Sequence, residues 1–331
     1  VNNVKVAVLD TGIDMEDSEI KKFCKFDKNL QIQSINECID DLNGHGTFVS
    51  KTIINICKNI DIYPIKIFNK FGRTNSLNAI LVLRKILNSE IDIINISAST
   101  FDYSYENEFR DICNKLKSKN KIVICSKHNS REVNNSIPTI FDSVIGVEGH
   151  RNIYENSQYV YKKNNKIQML ANNKESFVKF KGSIIPFGKN SKACAVATGI
   201  IANILKYNPG IYFNQLEEIL LSNSLDENKL CTSNLLDIKS YNNLNQEHVL
   251  YINKGILEII NNNFAVEKVD FQMIQEYGIM NTITNIGKHN AYDFLELINE
   301  YFDININYKD IFLYNLNYIE KLLTVILLYL N

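Results

Sequence analysis

Over the first 126 residues, short apolar runs alternate with longer amphipathic ones, and this alternation limits the fold more than any other feature. Residues 4–9, 62–68, 91–97 and 121–125 read as strands. Residues 46–58, 76–87 and 107–116 carry apolar side chains at the three- and four-residue spacing of helices. The strand runs are apolar almost throughout, so both of their faces must be covered. A parallel sheet satisfies this, because each crossover lays a helix on one face. The expected fold class is α/β, with a parallel sheet flanked by helices. In such sheets reactive groups gather at the carboxyl ends of strands. Asp10, Ser97 and the segment after Cys125 fall at such ends. Residues 191–206 read as a buried helix rich in Ala and Ile, stopped by Asn208-Pro209-Gly210, and residues 214–222 as another.

Beyond residue 240 the character of the chain changes. All four Pro precede residue 210, and no Ser follows Ser240. From Glu247 onward 5 Lys face 11 acidic residues, whereas the first 246 residues carry 31 basic against 26 acidic ones. Residues 251–261, 292–301 and 318–330 read as helices. Two domains are therefore expected: an α/β domain over 1–240 and a small all-α helical bundle over 247–331.

Composition removes several classes of function. The whole-chain balance of 36 basic to 37 acidic residues excludes a strongly basic nucleic-acid binder. With 45% hydrophobic residues, the chain is not wholly disordered. Its longest apolar stretch, residues 322–330, is far shorter than the roughly 20 residues that span a bilayer. Residues 1–14 contain a strand rather than a basic start and an apolar run, so a secretion signal is not expected. The 7 Cys are widely spaced and include no C-x-x-C pair, which fits reduced thiols. A cytoplasmic protein with no membrane or nucleic-acid partner is expected.

Three short segments carry polar groups with chemical potential. They are Asp10-Thr11-Gly12 at a strand end, Gly44-His45-Gly46-Thr47 at a helix start, and Asn190-Ser191-Lys192-Ala193 at the start of the buried helix. Singly, each has an ordinary explanation as a turn, a loop or a helix cap. Together, in this order and in these contexts, they resemble the motifs of the subtilisin-like serine proteases, the subtilases, over residues 1–240. The resemblance implies a catalytic triad of Asp10, His45 and Ser191. Serine would be the nucleophile, histidine its base, and aspartate the group that orients the histidine. It also implies an oxyanion donor at Asn129, in the segment following the strand at 121–125, with Asn134 and Asn135 as nearby competitors. Peptide substrates of this family add as a strand to an exposed edge. That edge corresponds to Ser97, Ala98 and Ser99, and the turn around Gly72 would supply the opposite one.

The sequence departs from the family at several points. Lys189 stands where Gly is usual, and Ala195 where Pro is usual. Lys127 and His128 replace small residues that wall the primary specificity pocket, so a closed or reshaped pocket is expected. Asp40-Asp41 reads as a solvated turn, with a contact to a cation or a peptide amine as the alternative. No metal or other cofactor is expected, and no Asp-rich calcium loop is recognised.

Residues 247–331 resemble an acyl or peptidyl carrier protein. Thr282 occupies the place of the serine that carries phosphopantetheine, so that group is not expected. The resemblance implies a degenerate carrier whose acidic surface docks biosynthetic enzymes. The function expected from these readings is an intracellular serine endopeptidase that cleaves a peptide or precursor, with a peptide natural-product pathway as the setting that the carrier-like tail suggests. The competing reading is a non-proteolytic acyl transferase, or an interaction scaffold built on the same fold.

Overall fold

A computed structural model describes residues 3–32, 39–130, 135–230 and 246–330. The chain divides into two compact units, one formed by Val1–Asn173 with Gly188–Thr232 and the other by Lys174–Phe187 with Ser233–Asn331. The boundary expected near 240–247 falls mostly within 231–245, which lies outside the described residues.

The first unit is built on a seven-stranded sheet. Its strands are β1 (Val4–Asp10), β2 (Ile60–Lys66), β3 (Ile93–Ile96), β4 (Ile122–Ser126), β5 (Val144–His150), β6 (Tyr159–Tyr161) and β7 (Met169–Asn172). They lie in the order β2-β1-β3-β4-β5-β7-β6, and every pairing is parallel except β6 with β7. The helices are α1 (Ser18–Lys21), α2 (His45–Ile56), α3 (Ser76–Ile86), α4 (Glu106–Ser118), α5 (Lys189–Tyr207), α6 (Phe213–Ser222) and α7 (Glu227–Leu230).

The local sequence explains these elements. In α4 the buried residues are Phe109, Ile112, Cys113 and Leu116, one stripe at helical spacing, and charged and uncharged polar residues fill the remainder. In α5 every residue from Ser191 to Ala202 is buried, because this helix packs on α2 and across β3, β4, β5 and β7. Gly199 permits that approach: a Cβ there would lie 2.7 Å from Cβ of Ile56 on α2. The five described cysteines, Cys24, Cys57, Cys113, Cys125 and Cys194, are free thiols.

The second unit contains the helical region read from the sequence: α8 (Gln246–Asn263), α9 (Phe271–Tyr277), α10 (Ala291–Phe302), α11 (Leu313–Asn317) and α12 (Ile319–Leu330). It also holds an element that was not anticipated, the hairpin β8 (Ser176–Phe180) and β9 (Ser183–Phe187). Lys181 and Gly182 form its two-residue turn, both with positive φ (45° and 85°), which matches the twist of paired strands. Phe177 of the hairpin is buried among Ile252, Ile256, Phe294 and Leu322 of the helices. The backbone N–H of Leu313 donates to the Glu175 carbonyl at 2.8 Å, and Lys288 pairs with the Glu175 carboxylate. Thr282 is exposed in a turn, where Oδ1 of Asn281 accepts from the N–H groups of Ile283 (2.7 Å) and Thr284 (3.0 Å). Among the described residues no helix is long and apolar enough to cross a membrane.

Candidate active site

β1 delivers Asp10 to the carboxyl edge of the sheet, where it is buried. Its Oδ1 accepts from the Thr11 N–H at 2.8 Å. His45 is the first residue of α2, preceded by Gly44 at φ 97°, a left-handed turn that suits glycine. Nδ1 of His45 lies 2.8 Å and 3.0 Å from the two Asp10 carboxylate oxygens. This geometry favours the tautomer with its proton on Nδ1, which leaves Nε2 as a base. Burial pushes the His45 pKa down, but the charge and hydrogen bond of Asp10, with the charge of Asp41, outweigh it and leave it above the ordinary 6.5. Gly46 lets the first turn of α2 lie close against the end of β1 and the turn after it, since a Cβ there would fall 2.3 Å from the Gly12 carbonyl oxygen and 3.1 Å from Cβ of Asp10.

Asp41 corrects the sequence reading. Rather than a solvated turn residue, it is fully buried. Its Oδ1 accepts from the N–H groups of Asn43 (2.9 Å) and Gly44 (2.8 Å) and from the Thr11 hydroxyl (2.9 Å). Its Oδ2 accepts from the N–H (3.0 Å) and hydroxyl (2.8 Å) of Thr47. One carboxylate therefore caps the helix that begins with His45 and ties it to the residue after Asp10. Burial raises the Asp41 pKa, yet the hydrogen bonds from Gly44, Thr47 and Asn43 outweigh burial and hold it below the ordinary 3.8. A depressed carboxylate pKa contributes stability above the unfolded value, and that stability is lost as pH falls through the folded value. Asp41→Ala is expected to cost about 2–4 kcal/mol, because it strands several buried donors. Denaturant titration at neutral pH checks this, and the difference from the parent protein should shrink below pH 3.8.

Ser191 lies in the first turn of α5 and is 8% exposed. Its hydroxyl donates to the Ser97 carbonyl at 3.2 Å. At Lys189 φ is 63°, the left-handed region in which glycine is easiest, so this lysine holds a backbone conformation that suits the usual glycine better. Asn190, which the sequence reading did not single out, anchors this turn. Its Oδ1 accepts from the Gly149 N–H (2.9 Å), and its Nδ2 donates to the carbonyls of Lys127 (3.0 Å) and His128 (3.4 Å). Lys192, the next residue along the helix, is 1% exposed, a buried side chain that an Ala- and Ile-rich pattern conceals.

A cleft of about 580 Å³ brings together the residues expected to bind substrate. Gly72, Ser97, Ala98, Ser99 and Asn129 all line it. Gly72 sits in a turn closed by Oδ1 of Asn69, which accepts from the N–H groups of Phe71 (3.0 Å) and Arg73 (3.1 Å). Nδ2 of Asn43 donates to the Lys70 carbonyl of that turn at 3.0 Å, which joins it to the His45 loop. Asn129 is exposed. Its competitor Asn135 turns its amide oxygen to Lys166 Nζ at 3.1 Å, and Asn134 lies outside the described residues. Lys127 and His128 line the cleft without closing it. Nζ of Lys127 is drawn to Glu148 Oε1 on β5 at 2.7 Å, and the His128 ring packs 4.5 Å from the ring of Phe101. Nδ1 of His128 accepts from the Ser130 N–H at 3.0 Å. Among the described residues no group of three His, Cys, Asp or Glu is placed to hold a metal ion.

Comparison with known proteins places this geometry in context. The family model of the subtilases (peptidase S8) matches residues 1–251. A protein named intracellular serine protease from Paenibacillus polymyxa is 25% identical over 220 residues, which is 61% of this chain and 65% of the relative's own length. Among solved structures, sphericase matches with a TM-score of 0.56 at 18% identity, covering 67% of this chain and 83% of that one. A lanthipeptide protease also matches with a TM-score of 0.56 at 18% identity, covering 67% of this chain and 80% of its own. A cold-adapted subtilisin-like serine proteinase gives 0.55 at 18%, covering 69% and 86%. The structural likenesses speak for the fold alone, and the family match, extending over most of the chain, carries the assignment: the chain belongs to the subtilase family.

Proposed function

We propose that this subtilase is a serine endopeptidase acting on peptides or proteins, with Asp10, His45 and Ser191 as its triad. The observation that carries the reading is the two-oxygen contact of Asp10 with Nδ1 of His45, at 2.8 Å and 3.0 Å. It leaves Nε2 as the base for a hydroxyl held at the N-terminus of α5. Substrate pairs as a strand with Ser97, Ala98 and Ser99, and its N–H takes the Ser97 carbonyl on which the Ser191 hydroxyl rests. The hydroxyl then turns to His45, which removes its proton as Oγ attacks the scissile carbonyl. Nδ2 of Asn129 and the Ser191 N–H receive the oxyanion. The imidazolium, stabilised by Asp10, returns the proton to the leaving amine, and water releases the acyl group by the same route. These steps require neither metal nor cofactor.

The relative named as intracellular supports a site of action inside the cell. The lanthipeptide protease of the same fold supports a biosynthetic precursor peptide as the substrate class. The acidic C-terminal region is proposed as a non-catalytic docking surface for such a pathway.

Labelling by a fluorophosphonate tests the reading, with Ser191→Ala as the control. Equal labelling of the two proteins would sink it. Cleavage of a peptide library then separates hydrolysis from acyl transfer. Asn129→Ala is expected to lower kcat about 10²–10³-fold with little change in KM, the size known for this donor in subtilisin itself. Unchanged turnover would remove Asn129 from the oxyanion site.

A further inference from the structure

Asn95 is the one polar residue of β3, whose other members are Ile93, Ile94 and Ile96, and it is fully buried. A primary amide in such a setting is costly unless its donors and acceptor are all engaged. Here they are. One Nδ2 hydrogen goes to the Thr198 hydroxyl at 2.8 Å and the other to Sγ of Cys194 at 3.4 Å. Oδ1 accepts from the Ser97 hydroxyl at 3.0 Å.

These partners are not random neighbours. Ser191, Cys194 and Thr198 are spaced i, i+3, i+7, so they share one stripe of α5. All three positions of that stripe are fastened to the β3 segment. Ser191 Oγ donates to the Ser97 carbonyl, Cys194 Sγ donates to the Ile96 carbonyl at 3.8 Å, and Thr198 receives the Asn95 amide. Thr198 also donates to the Cys194 carbonyl at 2.9 Å, which stiffens the same turn. The contacts close a ring: Asn95 to Ser97, Ser97 to Ser191, along α5 to Thr198, and back to Asn95. Apolar packing alone would let α5 slide along the sheet, because dispersion has no preferred direction, whereas hydrogen bonds fix a register.

We propose that Asn95 is a positioning residue that sets the height of the Ser191 hydroxyl against the substrate-binding edge at Ser97, acting through Thr198 and Cys194. The proposal rests on Ser191 being the nucleophile. It makes the rate of attack on a bound substrate, rather than substrate affinity, depend on an amide that never touches the substrate. A misplacement near 1 Å is enough to slow such a step about 100-fold.

The test compares wild type, Asn95→Leu, Thr198→Val and the double variant Asn95→Leu/Thr198→Val. Three readouts are taken: the rate of fluorophosphonate acylation, kcat and KM on a cleavable peptide, and Tm. Asn95→Leu is expected to slow acylation and kcat about 10–100-fold, with KM within about twofold and a lowered Tm. In the double variant the buried Thr198 hydroxyl oxygen, which loses its Asn95 donor in the single variant, is gone, so Tm should recover at least in part while acylation stays slow. Recovery of acylation together with Tm would reduce Asn95 to a purely structural role and overturn the proposal, as would a wild-type rate in a folded Asn95→Leu. If Asn95→Leu is insoluble, Thr198→Val decides: a several-fold slower acylation at constant KM supports the proposal, and a wild-type rate overturns it. A wild type that the reagent does not label would instead overturn the nucleophile assignment, and this proposal with it.

Discussion

Ser191→Ala is expected to lower kcat about 10⁶-fold, the scale set by removing the serine of subtilisin. The loss should leave KM for a peptide nearly unchanged, because the cleft lined by Gly72, Ser97, Ala98, Ser99 and Asn129 does not depend on the hydroxyl. Tm should also hold, since the hydroxyl makes one hydrogen bond, to the Ser97 carbonyl. Residual cleavage of about 10³-fold over water is expected from binding and the oxyanion donors alone. Active-site titration against a slow peptide substrate measures the effect. A loss below tenfold would show that another group performs the attack.

Asp10→Asn should produce the second-largest effect, a fall in kcat of about 10⁴-fold. The shape remains, but an amide nitrogen facing Nδ1 favours the wrong tautomer and no longer stabilises the imidazolium. The pH profile supplies an independent readout. In wild type the His45 pKa is raised above 6.5, so kcat/KM should rise through an acid limb lying above that value as the base becomes neutral. With Asp10 gone, burial, which pushes this pKa down, meets only the charge of Asp41 in opposition, and the limb should move to lower pH. Stability carries the opposite sign. A raised histidine pKa contributes stability that is fully present below pH 6.5 and is lost as pH rises through the folded value. Asp10→Asn should therefore narrow the difference in Tm between pH 5.5 and pH 8. An acid limb that stays in place would show that Asp10 does not govern the base.

Much of the architecture can be read along the chain. The apolar runs at 4–9, 62–68, 91–97 and 121–125 lie on β1, β2, β3 and β4, within two residues at every end. Their period is local, and burial on both faces leaves a local signature. The strands between 144 and 187 were not legible. They are three to seven residues long, and short runs such as Tyr159–Tyr161 carry too few side chains to establish a period. The hairpin at 176–187 was hidden for a further reason. Its place in the second unit depends on Phe177 meeting helices that begin about 70 residues later.

The candidate site divides in the same way. Asp10, His45, Ser191 and Asn129 stand in short motifs whose residues sit next to one another in sequence. Asp41 and Asn95 do not announce themselves, since an aspartate two residues before Asn43-Gly44 and a single amide in an isoleucine strand both have commonplace explanations. Burial distinguishes them, and burial is a property of what arrives from elsewhere: Thr11 and Thr47 on Asp41, and Thr198, 103 residues away, on Asn95. The Lys127 side chain makes the same point in reverse. Its bulk alone implies a closed or reshaped pocket, and only the fold supplies Glu148, the partner that draws the ammonium aside.

The amino-acid sequence by itself determined the layered α/β framework, the family and the identities of the groups offered for catalysis, because strand period, helix period and motif spacing are short-range properties written residue by residue. Tertiary structure alone decided which of those groups meet. It set the Asp10 to His45 contact across 35 residues, the cleft that collects the residues expected to bind substrate, and the buried amides and carboxylate that hold them. The physical reason is directional. Hydrophobic periodicity specifies that a surface is buried, whereas a catalytic arrangement needs hydrogen bonds of fixed length and angle, and these exist only between atoms that the fold has already brought together.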